Sequence, residues 1–232
     1  MADTPNTETQ ATPKKKAAEL PLKTRFYTFA KGLAAVFVRV VYPISFHNLE
    51  SVQAQQAPFV LIGNHQHWSD PVVLAMTVKK NQVTFLGKKD LVKNKLIECI
   101  FRGMHMITVD RHQMDMGAMR SCTRVLRDGG ILGIFPEGTR YHTGVMEEIE
   151  EGTALLTMRA NVPLVPVYID RVVRPLHRSH AYVGTPIGYD DLRAQGVNRE
   201  TCEQLNQRIR DTYAAMKQEH PFQGNLPVKK EK

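Results

Sequence analysis

Residues 59–76 read FVLIGNHQHWSDPVVLAM, and this stretch indicates a buried strand that turns into a helix. Phe59 to Ile62 form a continuous apolar run of the length typical of a strand covered on both faces. Ser69-Asp70-Pro71 then supplies residues that begin helices, because proline is tolerated at the first helical position. A strand followed at once by a helix is the unit of a parallel sheet, so this stretch predicts an α/β fold.

The same alternation continues along the chain. Strands separated by helices predict a mixed, largely parallel sheet covered by helices, with its chemistry in the loops that follow the strand ends. Further apolar strand patterns occupy 83–86, 106–109, 131–135, 163–169 and 181–184, and helical patterns occupy 115–128, 151–161 and 199–218.

Length and composition favour one domain. The chain has 232 residues, 42% of them apolar, which is within the size of a single core. Its three cysteines lack the CxxC spacing and are too few for a disulfide framework, so we expect a reducing compartment and no structural zinc site. We expect a disordered basic tail over 1–20, a helical segment over 21–46, the main domain over 47–220 and a tail over 221–232.

The net charge of +8 is concentrated near the N-terminus. Residues 13–45 hold seven basic residues and one acid, an excess of six positive charges. Lys31 and Arg39 interrupt the apolar runs there, so no run is long enough to span a bilayer, and no cleavage site marks a secretory signal. The pattern predicts a helix over 21–46 in the membrane interface, with Lys23, Arg25, Lys31 and Arg39 at anionic head groups. The alternative is a core-packed helix with a solvated basic tail.

The first chemically unusual strand end is Gly63 to Asp70. His65, followed five residues later by Asp70 across a turn, can act as a base whose tautomer the carboxylate fixes. Alternatively, Asp70 only caps the helix and His65 is a surface residue. A metal site built on His65, His67 and Asp70 is a third possibility, which the Arg- and Lys-rich character of the other histidine-bearing loops disfavours.

Two further strand ends carry arginines. Thr108-Val109-Asp110-Arg111 and Phe135-Pro136-Glu137-Gly138-Thr139-Arg140 each follow a strand, and Lys88-Lys89 follow another. Arginine forks bind phosphate oxygens in bidentate fashion, although each residue could equally be an ordinary surface arginine. No Walker loop and no GxGxxG string is present, so a nucleotide is not indicated.

Taken together, these strings resemble the motifs of the glycerolipid acyltransferase family, and most closely its bacterial 1-acyl-sn-glycerol-3-phosphate acyltransferases. The resemblance rests on the NH-x4-D, TVDR, FPEGTR and VPLVPV strings in this order and covers about residues 25–190. It implies that His65 acts as general base on the free hydroxyl of lysophosphatidic acid while Asp70 orients it. It also implies direct attack on an acyl thioester, with no metal and no bound cofactor.

The resemblance implies roles for the remaining motif residues. Arg111 and Arg140 would hold the acceptor phosphate, Glu137, Gly138 and Thr139 would shape the glycerol-phosphate pocket, and Lys88 would stabilise the oxyanion. The implied partners are lysophosphatidic acid, an acyl carrier protein or coenzyme A thioester, and an anionic membrane surface on the cytoplasmic face of the cell membrane, contacted peripherally or monotopically.

Three other functions stay open at this point. Another lysolipid acceptor would use the same motifs. A non-catalytic basic module that binds membranes or nucleic acid would need none of His65, Asp70 and Glu137. The presence of all three therefore argues against such a module and against a nucleic-acid partner. A metal hydrolase is the third.

Overall fold

The computed structural model describes residues 25–79, 81–88, 95, 106–109, 116–140, 146 and 148–223. Helices and strands alternate through most of this part of the chain, as the apolar patterning predicts. They are α1 (Arg25–Val41), β1 (Ile44–His47), α2 (Leu49–Gln53), β2 (Phe59–Gly63), α3 (Asp70–Thr77), β3 (Val83–Lys88), β4 (Ile107–Val109), α4 (Met116–Arg127), β5 (Ile131–Ile134), α5 (Gly152–Ala160), β6 (Leu164–Ile169), β7 (Ser179–Val183), α6 (Asp190–Ala194) and α7 (Arg199–Glu219).

Seven strands form one mixed sheet in the order β1-β7-β6-β2-β5-β3-β4. Neighbouring strands are parallel except β6 and β7, which are antiparallel, so β1 and β7 run against the other five. The carboxyl ends of β2 to β6 therefore share one edge of the sheet. This confirms the predicted mixed, largely parallel α/β fold and puts the loops that follow β2 to β6 on one side.

Side chains alternate between two apolar cores, one on each face of the sheet. Val60 and Ile62 of β2 belong to the core formed with α4, α5 and α7. Phe59 and Leu61 belong to the core formed with α3 on the opposite face. Because β2 is buried on both sides, its run is continuously apolar rather than alternating.

The N-terminal helix is shorter than the sequence predicts. α1 ends at Val41, and residues 44–47 form β1, which pairs in parallel with β7. Pro43 lacks a backbone N–H and disfavours helical geometry in the residue before it, which accounts for the end of the helix. The domain boundary expected after residue 46 therefore falls inside a strand of the sheet.

One side of α1 packs against the main domain. Tyr27 is buried, and its hydroxyl accepts a hydrogen bond from the backbone N–H of Val83 at 3.1 Å. Lys31 Nζ donates to the carbonyl of Val78, at the C-terminus of α3, at 2.5 Å. The expected head-group contact of Lys31 is thus wrong: its ammonium caps a helix, and burial lowers its pKa. Arg39 is exposed, as expected.

The other side of α1 is an exposed apolar surface, which we call the outer stripe. Its members lie 49–70% exposed at helical spacing: Phe29, Leu33, Val36, Phe37 and Val40. The helix thus has features of both interpretations of the sequence. One side packs against the core, and the other side presents the apolar surface that a helix in the membrane interface would need. In the part of the chain that the structure describes, no helix is long and apolar enough to cross a bilayer.

Candidate active site

The loop between β2 and α3 is held at the carboxyl edge of the sheet by Asn64. The Asn64 side chain donates to the carbonyl of Ile169 at 2.9 Å and accepts from the N–H of Ile169 at 2.8 Å. It therefore continues the β2–β6 pairing beyond the last strand residue. Asn64 is buried, so the loop that follows it starts from a fixed point.

His65 and Asp70 form a hydrogen-bonded pair across this loop. His65 Nδ1 lies 3.0 Å from Asp70 Oδ2. The Asp70 side chain is fully buried, and the His65 side chain is 19% exposed. A carboxylate only accepts hydrogen bonds, so this contact assigns the Nδ1 proton to the neutral imidazole and leaves Nε2 as the ring nitrogen that can take up a proton.

Asp70 also fixes the backbone of the loop. Its Oδ2 accepts hydrogen bonds from the backbone N–H groups of Gln66 and His67, each at 2.6 Å. Asp70 is the first residue of α3, and Ser69 occupies the N-cap position. The carboxylate thus orients His65 and lies in the first helical turn, where negative charge is favourable. The interpretation of Asp70 as the helix cap is wrong, because Ser69 is the N-cap residue.

Glu137 supports the same loop from the turn that follows β5. Its Oε2 accepts a hydrogen bond from the backbone N–H of His65 at 2.7 Å, and its side chain is buried. The sequence predicts Glu137 in a substrate pocket, and the structure adds a contact with the backbone of the candidate base. The 72 residues that separate the two explain why no local pattern could reveal it.

Stacked aromatic rings lie beneath His65. Its imidazole stacks on Phe135 with ring centroids 4.3 Å apart, and Phe135 stacks on Phe85 at 6.2 Å. Gly133 makes room for Phe85, because a Cβ at Gly133 would lie 2.2 Å from Phe85 Cε1. The orientation of His65 is therefore set by Asp70 on one side and by the core on the other.

The FPEGTR string forms a tight turn after β5. Gly138 has φ +61, the left-handed region that favours glycine, and its N–H donates to the carbonyl of Phe135 at 3.0 Å. A Cβ at Gly138 would lie 2.8 Å from Glu150 Oε1. Thr139 and Arg140 are exposed at the tip of the turn. Among the described residues, Arg140 has no ion-pair partner.

Two predicted site residues are only partly located. Lys88 is the last residue of β3, which ends at the same edge as β2, but its side chain lies outside the described part. Arg111 also lies outside it, two residues beyond the end of β4. The topology thus brings the strand ends together, while the expected convergence of Lys88 and Arg111 on the site stays a prediction. The tail over 1–20 and residues 224–232 are likewise undescribed.

The described side chains include no cluster of three or more His, Cys, Asp or Glu residues that could hold a metal ion. His67, which the metal interpretation requires, has its Nδ1 2.8 Å from Ser69 Oγ. The chemistry that the geometry offers is proton transfer at His65 Nε2.

A sequence model of the family described as "Acyltransferase" matches residues 43–170, which contain every site residue discussed above. The chain belongs to the acyltransferase family. The resemblance inferred from the motifs is thereby confirmed.

Named relatives of this acyltransferase include two bacterial 1-acyl-sn-glycerol-3-phosphate acyltransferases. The chain is 28% identical over 193 residues to that of Bacillus subtilis, covering 80% of this chain and 96% of the relative. It is 25% identical over 201 residues to that of Streptococcus pneumoniae, covering 84% and 74%.

A solved structure shares the fold of this acyltransferase. It is the 1-acyl-sn-glycerophosphate acyltransferase PlsC of Thermotoga maritima, with a TM-score of 0.62 and 17% identity. The likeness covers 82% of this chain and 79% of the other.

Proposed function

We propose that this acyltransferase moves a fatty acyl group from a thioester donor to the free hydroxyl of 1-acyl-glycerol-3-phosphate, giving phosphatidic acid. The observation that carries the proposal is the His65–Asp70 pair at the carboxyl edge of the sheet, with Nε2 as the proton-accepting nitrogen. The activity named for the two bacterial relatives supports the same reaction.

The reaction needs one base and no covalent intermediate on the protein. His65 Nε2 takes the proton of the acceptor hydroxyl while its oxygen attacks the thioester carbonyl. The tetrahedral anion collapses, the carbon–sulfur bond breaks, and the imidazolium returns the proton to the departing thiolate. Asp70 stabilises the imidazolium between these steps. Lys88, at the end of β3, is proposed to stabilise the oxyanion.

The acceptor phosphate is assigned to Arg140 and Arg111. A phosphomonoester is best bound by guanidinium groups, and Arg140 lies on the turn that Glu137 ties to the His65 loop. Gly138 and Thr139 complete the proposed glycerol-phosphate pocket. In this arrangement Arg140 holds the phosphate from the turn after β5 while the hydroxyl reaches the base after the neighbouring strand, since β2 pairs with β5.

The other substrates and the location follow from the same chemistry. The donor is the thioester of an acyl carrier protein or of coenzyme A, used as co-substrate rather than as a bound cofactor. The acceptor is a lipid, and the outer stripe gives the protein an apolar surface for the bilayer. We place the protein on the cytoplasmic face of the cell membrane, as a peripheral or monotopic protein at anionic lipid.

The test is an acyl-transfer assay with purified full-length protein, both donors, and a panel of lysolipids. We expect lysophosphatidic acid to be the best acceptor. Arg140→Ala should raise its KM by roughly tenfold to a hundredfold, because a hydrogen bond to a charged group is worth about 1.5–3 kcal/mol. Arg127→Ala, an exposed arginine on α4, is the matched control and should leave the KM unchanged.

Two results would contradict the proposal. A wild-type preference for an acceptor without a phosphomonoester would point to another lysolipid acyltransferase. Equal loss of activity by Arg140→Ala on acceptors with and without the phosphate would remove Arg140 from the phosphate site.

A further inference from the structure

Trp68 is the one exposed residue of a loop whose other residues are buried or half-buried. It lies between His65 and Asp70 with 54% of its surface exposed. Its neighbours Asn64, Gln66 and Ser69 are no more than 2% exposed. The loop is therefore fixed by its hydrogen bonds, and the indole points outward from a rigid base.

Trp68 is continuous with the outer stripe of α1. Its ring meets Tyr42 edge-on with centroids 6.1 Å apart, and Tyr42 meets Phe37 of the stripe edge-on at 6.2 Å. The ring centroid of His67 lies 5.4 Å from the ring centroid of Tyr42 and 5.4 Å from that of Trp68. These rings connect the catalytic loop to α1 in one aromatic surface, which we call the aromatic bridge.

Almost all of the large exposed apolar side chains share this surface. Of the eight in the described part of the chain, six are Trp68 and the members of the outer stripe. A seventh, Leu176, lies beside the end of α1, where its N–H donates to the carbonyl of Val41. The eighth, Met116, is on α4, on the opposite face of the sheet. A one-sided apolar patch of this kind marks an interaction site.

We propose that Trp68 inserts into the bilayer interface together with the outer stripe, so that the catalytic loop is itself part of the membrane-binding surface. The bilayer fits better than a protein partner because the patch combines an apolar helix face with a tryptophan, the side chain most typical of the membrane–water boundary. Arg39 is exposed on the same helix and adds attraction to anionic lipid.

The insertion gives His65 a defined depth. Trp68 is three residues from His65, and the aromatic bridge joins it to α1, so the imidazole lies at the level of the head groups. An acceptor lipid could then present its hydroxyl without leaving the bilayer. This consequence rests on the proposed function, whereas the insertion itself does not.

Trp68 is the single tryptophan of the chain, so the unmodified full-length protein carries its own probe. We expect vesicles of phosphatidylglycerol and phosphatidylethanolamine, without acceptor or donor, to shift its emission to shorter wavelength. Lipids brominated near the head group should quench this emission, and aqueous iodide should quench it less than in the absence of vesicles. Unchanged emission from protein that co-sediments with the vesicles would overturn the proposal.

Substitutions give a second measurement. Trp68→Ala should lower the vesicle partition coefficient by about tenfold or more, because a large apolar side chain leaves the interface. Met116→Ala, on the opposite face, is the matched control and should leave it unchanged. Equal partitioning of Trp68→Ala and wild type would contradict insertion. A blue shift that depends on protein concentration without vesicles would assign the patch to a second copy of the chain instead. Neither readout requires turnover, so failed acyl transfer would overturn the proposed function alone.

Discussion

At the scale of single residues, the site depends on one buried carboxylate that makes three hydrogen bonds. Asp70 Oδ2 accepts from His65 Nδ1 and from the N–H groups of Gln66 and His67. The first contact fixes the tautomer of His65, and the other two fix the backbone conformation of the loop. Substitutions that change charge and those that change shape should therefore have different effects.

We expect Asp70→Asn to keep the fold and to lower kcat by about three to four orders of magnitude, as loss of the orienting carboxylate does in serine protease triads. The amide oxygen can still accept from the loop backbone, but it cannot stabilise an imidazolium as a carboxylate does. His65→Ala should lose at least as much. The measurements are kcat and the thermal melting curve of each variant. A folded His65→Ala protein with more than about a tenth of the wild-type rate would exclude the base role.

The sequence predicts this pair, but not its supports. His65 and Asp70 are five residues apart, so a local motif is enough to associate them. Asn64, Glu137 and Phe135 act through contacts with residues far along the chain, and such contacts have no periodic signal. Lys31 is assigned to the wrong surroundings for a related reason. The sequence gives the charge of Lys31 but not the side of α1 on which it lies.

At the scale of elements, β3 and β5 position the loop that carries His65 through their packing. Gly133 of β5 lies against Phe85 of β3, which stacks on Phe135 beneath His65. The longer strands and helices are predictable from their apolar patterns. β1 is missed because the sequence assigns residues up to 46 to one apolar helical segment. α2 and α6 are missed because five residues are little more than one helical turn, too short to show a helical period.

We expect Gly133→Ala to destabilise the protein by about 1–3 kcal/mol, the usual cost of overpacking a core. It should also lower kcat, since Phe85 must move and it stacks on Phe135, the ring beneath His65. The control is Gly133→Ala combined with Phe85→Leu, which removes the ring atoms that the new methyl group would strike. In urea unfolding, the double variant should lose less unfolding free energy than the sum of the losses measured for the two single variants. If the losses of the two single variants simply add in the double variant, the glycine at position 133 is not needed to make room for Phe85.

At the scale of the whole molecule, buried tyrosine hydroxyls make stability depend on pH in the alkaline range. Burial is the largest cause that raises the pKa of Tyr27, Tyr168 and Tyr189 above 10, and it raises that of Tyr213 well above 10. The folded protein keeps these protons at a pH where the unfolded chain releases them. Their contribution to stability is therefore complete below pH 10 and is lost as the pH rises through the raised values.

We expect the free energy of unfolding to fall above pH 10 by up to about 1.4 kcal/mol per pH unit for each such tyrosine. Urea unfolding at several pH values between 8 and 11 measures the slope. Tyr168→Phe is the sharpest control, because the Tyr168 hydroxyl is buried and has no hydrogen-bond partner in the described structure. This variant should keep its stability at neutral pH. Above pH 10 its free energy of unfolding should fall less steeply with pH, by the contribution of one titrating tyrosine. An unchanged slope would show that Tyr168 does not contribute.

The junction between α1 and β1 also limits how this protein can change in evolution. Only Tyr42 and Pro43 separate the helix from a strand of the sheet, and Tyr27 and Lys31 hold the helix to the main domain. There is no linker at which recombination could replace the helix as a module, and a truncation that included residues 44–47 would remove the edge strand β1 from the sheet. If α1 binds lipid as proposed, adaptation to a different lipid composition would proceed by point substitution on a retained scaffold. A chimera that keeps the inward residues and exchanges only Leu33, Val36 and Val40 is the graft that this architecture permits.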